Sequence, residues 1–166
     1  MWNNIDMEKN TIVDGNDVVI GAKSRNEITH EDIYRVAGLW LYNKKGQLLL
    51  AQRAFTKSHS PGKWGPSVAG TVEEGEDYLT TIVRETEEEL GLTGLKFIED
   101  EKNFRSEDWQ YFSQRFTATT DKDISDMKIQ REEVEQVQWF NEDEIPKLIQ
   151  KDPDMFIPSM KEHYKS

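Results

Sequence analysis

The sequence predicts a single α/β domain spanning residues 1–166, and three observations carry that expectation. Apolar runs of strand length recur along the chain, and one amphipathic stretch of helical period sits among them. A chain of 166 residues also has the size of one folding unit with a substantial core. No internal repeat or low-complexity linker interrupts it.

Each element has its own local signal. Thr11 to Gly21 reads as two strands about a Gly15-Asn16 turn, a hairpin within an N-terminal extension over residues 1–30. Val36 to Tyr42 is an apolar run, Asn43-Lys44-Lys45-Gly46 a turn, and Gln47 to Arg53 the next strand. Phe55 to Pro66, rich in Lys, Ser, Gly and Pro, is a loop. Ser67 to Val72 is a short strand that leads into the amphipathic stretch. Leu95 to Glu99 and Tyr111 to Thr119 are expected strands with a longer polar loop between them, and Val134 to Phe140 is the last strand. Asn141 is placed to cap a helix running from Glu144 to Lys151, with Pro146 in its first turn. Pro153 and Pro158 punctuate the tail before a short helix from about Ser159.

The amphipathic stretch carries the chemistry. At roughly 100° per residue, Leu79, Ile82, Val83, Thr86 and Leu90 share one stripe, expected to pack on the core. Glu85, Glu88 and Glu89 stand three and four apart on the neighbouring face, where their oxygens can converge. Like charges at that spacing cost a few tenths of a kcal/mol per pair. A divalent cation reverses that cost, and carboxylate oxygens are preferred ligands of Mg2+. Arg84, four residues before Glu88, is expected to fix that carboxylate. Asp77 lies near the positive helix start and Gly91 is placed to close the end. A merely solvated acidic face accounts for any one of these glutamates. It does not account for Gly70 and Glu76 at fixed offsets before them.

Composition removes several alternatives. There is no Cys, which excludes disulfides, zinc–thiolate sites and cysteine nucleophiles. The formal charge of −11 argues against nucleic-acid polymers and anionic membranes as partners. Met1 to Asn10 has neither a basic nor an apolar run, and no stretch is long enough to span a bilayer. A cytoplasmic protein is the expectation. Asp121, Asp123 and Asp126 lack the Gly and closing Glu of a calcium loop, and His30, His59 and His163 are scattered singles. Arg53, Lys57 and Lys63 are candidate phosphate contacts in or beside the loop before Gly70.

Written with its spacers, Gly70 to Leu92 is G-x5-E-x7-R-E-T-E-E-E-L-G-L. It resembles the Nudix box, G-x5-E-x7-R-E-U-x-E-E-x-G-U, in which U is a bulky aliphatic residue. Every charged and Gly position is met, and Thr86 is the one departure. The resemblance implies an α/β/α sandwich with a mixed central sheet and hydrolysis of a small-molecule diphosphate, dependent on Mg2+ or Mn2+. It implies that Glu85, Glu88 and Glu89, with the Ala69 carbonyl, hold the metal, and that Arg84, Glu85 and Glu88 are catalytic. Glu132, Glu133 and Glu135 fall where the family often adds an acidic group; one of them is expected as a metal ligand or general base, with Glu133 the catalytic candidate, and the sequence does not decide which. Arg53, Lys57, Lys63 and Gly70 are taken as substrate-binding, Gly70 and Gly75 by letting the loop approach phosphates without a Cβ. Pro61-Gly62-Lys63-Trp64 is similar to the P-G-x-W segment of many Nudix proteins, with Trp64 as a buried anchor. A homodimer stays open.

A narrower resemblance runs from Leu39 to Leu50 and through Arg53, Lys57, Pro61-Gly62 and Trp64 to type I isopentenyl-diphosphate isomerase. Its S-V-C-G-H motif falls on Ser67-Val68-Ala69-Gly70-Thr71. Ala69 stands in place of the catalytic Cys and Thr71 in place of a metal-binding His, and a further metal His maps near Tyr34. Ala and Thr cannot supply that acid–base and imidazole chemistry. Hydrolysis of a nucleoside or other organic diphosphate, the organic group left open, is therefore the leading expectation. A prenyl-diphosphate isomerase and a non-catalytic binding module are the alternatives.

Overall fold

The strand Ile33–Asn43 (β3) organises the molecule, and its alternation explains the layers. The computed structural model describes residues 8–165, so residues 1–7 of the expected extension lie outside the described residues. Before β3 come Lys9–Val13 (β1) and Val19–Ser24 (β2); after it come Leu48–Arg53 (β4), Trp64–Gly65 (β5) and Val68–Thr71 (β6). The helix Tyr78–Leu90 (α1) follows, then Ile98–Arg105 (β7), Gln110–Thr120 (β8) and Val134–Phe140 (β9). Ile145–Lys151 (α2) and Pro158–His163 (α3) complete the order.

β3 pairs antiparallel with β1, β4 and β6, and parallel with β8 from Ile33↔Gln110 to Asn43↔Thr120. The sheet is therefore mixed, with nine strands among the described residues. Successive β3 side chains point to opposite faces. Ala37, Leu39 and Leu41 enter a core with Leu49, Val68, Phe116 and the α1 residues Ile82 and Leu90. Trp40 enters a second core with Leu48, Leu50, Trp64, Phe140, Ile145, Phe156 and Met160, beneath α2 and α3. Helices thus cover both faces, giving the α/β/α sandwich. Among the described residues, no helix is long and apolar enough to cross a membrane.

Three expectations need correction. The stretch read as Leu95 to Glu99 plus a polar loop is a strand from Ile98 to Arg105, paired only with β8. It is an exposed edge whose charged residues face solvent, so its sequence lacks the apolar signal of a buried strand. The loop from Phe55 to Pro66 contains β5, which pairs Gln52 with Trp64. Finally, α1 is rotated from the expected phase: Leu79 and Val83 are 45% and 44% exposed, whereas Tyr78, Thr81, Ile82, Thr86, Glu89 and Leu90 are buried. The rotation turns the Glu85–Glu89 edge toward the sheet. Thr86 is accommodated because its hydroxyl donates to the Ile82 carbonyl at 2.6 Å.

Both ends of α1 are closed locally. Asp77 Oδ1 accepts from the Thr80 N–H at 2.7 Å. Gly91 adopts φ 65° and its N–H donates to the Glu87 carbonyl at 2.9 Å.

Candidate active site

The glutamates of α1 and of the segment leading into it are not equivalent. Glu89 is only 8% exposed, and its carboxylate has no hydrogen-bond or ion-pair partner among the described residues. Burial raises its pKa well above the usual range, and the charges of Glu85 and Glu133 add to the rise against Lys57 and Arg53. Burial also pushes Glu85 up to about 7, with Arg84 opposing and Glu88 and Glu73 adding. Gly70 lies directly against this side chain: a Cβ there would collide with the Glu85 carboxylate. The place for Gly70 is thus set by the helix carboxylate, which is a reason distinct from phosphate access.

Arg84 departs from its expected role as a simple partner of Glu88. Its Nε and Nη2 donate to the two oxygens of Glu76 at 2.8 and 3.0 Å, a bidentate pair. Nη1 donates to Glu85 at 3.1 Å and to Glu88 at 3.2 Å, and Nη2 lies 3.2 Å from Glu73. Glu88 leaves the helix on this Arg84 side and is 49% exposed at its side chain. The expected convergence of Glu85, Glu88 and Glu89 is therefore not drawn together, and no group of three acid or imidazole side chains forms a ready cation cage among the described residues. The fit to a hard divalent cation rests instead on Glu89, a largely buried residue whose carboxylate has no hydrogen-bond or ion-pair partner among the described residues, beside the half-buried Glu85.

Among Glu132, Glu133 and Glu135, Glu133 stands apart. Lys57 Nζ donates to its carboxylate at 2.5 Å, its charge reaches Glu89, and the other two are exposed. Lys57 is therefore committed to an ion pair. Arg53 Nε donates to the His59 carbonyl at 2.9 Å, and its guanidinium borders a cavity. Lys63 contributes its main-chain carbonyl to the Arg53 N–H at 2.9 Å, and its side chain does not line that cavity. Trp64 is buried, edge-on to Phe140 at 5.3 Å between ring centroids.

The cavity, about 540 Å³, opens on the sheet face opposite α1. Its sheet floor is small at Gly38, Ala69 and Ser113, and aromatic at Tyr34, Tyr111 and Trp40. Tyr34 and Tyr111 stack with centroids 5.5 Å apart, and the Arg115 guanidinium lies 4.8 Å over the Trp40 ring. His163, from α3, meets the Trp40 ring at 4.5 Å. The sequence reading missed this wall. The alternation Tyr34, Val36, Gly38, Trp40 along one strand was the available signal, since it puts these residues on one face. Ala69 and Thr71 also face the cavity.

A NUDIX domain family model matches residues 33–160. The chain is 30% identical over 136 residues to an uncharacterized Nudix hydrolase of Yersinia pestis, covering 81% of this chain and 73% of that protein. It is 35% identical over 83 residues to an isopentenyl-diphosphate Δ-isomerase of Serratia proteamaculans, covering 49% of this chain and 46% of that one. Among solved structures, a Deinococcus radiodurans protein superposes with a TM-score of 0.82 at 22% identity, covering 95% of this chain and 97% of that one. The NUDIX domain of Shewanella oneidensis NrtR, complexed with ADP ribose, superposes with a TM-score of 0.58 at 16% identity, covering 75% and 82%. The box, the sandwich and a family match over most of the chain converge: this chain belongs to the Nudix family of pyrophosphohydrolases.

Proposed function

We propose that the protein hydrolyses the phosphoanhydride bond of an organic diphosphate, with a nucleoside as the organic group, and that it requires Mg2+ or Mn2+. The observation that carries this is the Glu89 carboxylate, without a hydrogen-bond or ion-pair partner among the described residues and within electrostatic reach of Glu85, with the aromatic cavity across the sheet from α1. Glu85 and Glu89, with the Ala69 carbonyl, would hold the cation, and Glu88 would join them by leaving Arg84. A bound divalent cation neutralises diphosphate charge and makes an attacking water more acidic.

The chain's own groups divide the remaining work. Arg84, fixed by Glu76, orients Glu85. Glu133, held by Lys57, accepts the proton of the attacking water. Arg53, on the cavity wall and within electrostatic reach of Glu89, meets the phosphates. The base lies on the small floor of the cavity between the Tyr34–Tyr111 pair and Trp40. The ADP ribose held by the Shewanella fold relative supports a ligand of this class.

The likeness to isomerases over half of the chain favours a second reading, a prenyl diphosphate in the same cavity. Against it, Ala69 and Thr71 put a methyl and a hydroxyl at the cavity wall where that chemistry needs a thiol and an imidazole. A panel of nucleoside and prenyl diphosphates, followed by 31P NMR with and without Mg2+, tests the proposal. Mg2+-dependent cleavage of nucleoside substrates is expected. Deuterium entering carbon of isopentenyl diphosphate in deuterated water, with no cleavage in the panel, would overturn it.

A further inference from the structure

We propose that the β1–β2 hairpin is a strap that positions the carboxylates of α1 for a divalent cation, with Asp17 as its positioning residue. The inference rests on the metal reading above. It concerns residues that precede the region matched by the family model, which begins at residue 33.

The segment between β6 and α1 carries Glu73 and Glu76, and β1 grips its main chain. The Thr11 N–H donates to the Val72 carbonyl at 2.9 Å, the Thr11 hydroxyl to the Glu73 carbonyl at 2.8 Å, and the Glu74 N–H to the Lys9 carbonyl at 2.8 Å. Three successive residues of the segment are thus tied to the hairpin. At the far end of the segment, the hairpin turn reaches the first residue of α1. Asp17 adopts φ 61°, a left-handed conformation that Asp tolerates better than most side chains. Its carboxylate, 12% exposed, accepts from Arg35 Nε at 2.6 Å, Lys102 Nζ at 2.8 Å and the Tyr78 hydroxyl at 3.0 Å.

One carboxylate therefore joins the hairpin turn to β3, β7 and the start of α1. Arg35 and Lys102 also lie 5.0 and 4.6 Å from the centroid of the Tyr78 ring, so the ring is held on its face as well as at its hydroxyl. Between the two anchored ends, Glu73 and Glu76 hold Arg84, and Arg84 holds Glu85 and Glu88. Contact is continuous from the hairpin to the carboxylates. A displaced segment would move Arg84 and with it Glu85, whereas the cavity on the other sheet face would keep its walls.

Calorimetric titration of Mn2+ into the substrate-free protein, with melting temperature, kcat and KM alongside, separates a strap from a mere brace. Tyr78→Phe removes one hydrogen bond and keeps the ring; Asp17→Ala removes the whole junction. Lys23→Ala is the control, because its 2.8 Å pair with Asp32 belongs to the hairpin region and touches neither the segment nor α1. Tyr78→Phe is expected to weaken Mn2+ binding severalfold and Asp17→Ala about tenfold or more. Both should lower kcat with KM little changed, and Lys23→Ala should leave Mn2+ affinity as in the wild type. Wild-type affinity and kcat in Tyr78→Phe and Asp17→Ala would overturn the strap alone. A wild-type protein that binds no divalent cation would overturn the metal reading and the strap with it.

Discussion

Glu76 and Glu89 carry the same side chain on one continuous loop and helix, and the fold treats them oppositely. Glu76 accepts from Arg84 twice and from the Thr81 hydroxyl at 2.7 Å, and these bonds lower its pKa. Glu89 is more deeply buried, accepts from no side chain among the described residues, and is raised well above the usual range. A satisfied carboxylate builds a frame, whereas a buried one without a partner costs folding energy unless something binds it. Hydrogen-bond satisfaction, not charge, separates framework from chemical carboxylates in a chain with 32 Asp and Glu. Charge density alone does not separate them.

The largest expected effect comes from removing the unsatisfied charge. Glu89→Gln should lower turnover by about two orders of magnitude or more, while raising the melting temperature of the cation-free protein. Activity and stability moving in opposite directions is the signature of the contrast. A Glu89→Gln protein that is less stable without cation would place Glu89 in the frame with Glu76.

Arg84→Ala probes the other side of the comparison. An isolated exposed i,i+4 pair contributes about 0.3–0.5 kcal/mol. Arg84 instead meets four carboxylates, so its loss should cost about 1–2 kcal/mol in denaturant unfolding as well as turnover. Full stability with lost turnover would show that the Glu76 pair contributes nothing to the frame.

The rest of the comparison lies in pH. Glu85 titrates near 7 in the folded, cation-free chain, above its ordinary value of 4.5. Its protonation therefore stabilises that form fully below about pH 4.5, and the contribution is lost as pH rises through 7. A cation must displace this proton, so Mg2+ should stabilise weakly at pH 5.5 and more strongly at pH 8. At a hundredfold excess over Kd the linkage is about 2.7 kcal/mol, roughly 5–10 °C in thermal melting for a chain of this size. An Mg2+ increment that is flat with pH would remove Glu85 from the site. The smallest effect is expected in the cavity, where Tyr34→Ala should raise KM for a nucleoside diphosphate about threefold to tenfold with kcat little changed. An unchanged KM would move the base elsewhere.

Much of this contrast was legible in the sequence, though not which glutamate was which. The offsets of Gly70, Glu76 and Arg84 to Glu89 marked the loop and helix, because those positions are local and close in sequence. The burial of Glu89 and the exposure of Glu88 depend on how α1 is rotated on the sheet, and the exposed Leu79 and Val83 drew the helical stripe to the wrong phase. β7 escaped because a solvent-facing edge needs no apolar alternation. The Asp17 junction joins residues 61 and 85 positions apart, a proximity that no periodicity encodes. Arg84 was assigned to its helical neighbour Glu88, whereas the bidentate partner, Glu76, lies in the loop before the helix.

Calorimetric titration of Mg2+ into the substrate-free wild type and Glu89→Gln proteins at pH 8 asks whether Glu89 holds the cation. A saturable heat is expected for the wild type and a loss of about tenfold or more in affinity for the variant. Equal binding by the two proteins would contradict it, and the partnerless carboxylate of Glu89 would then have no cation to explain it.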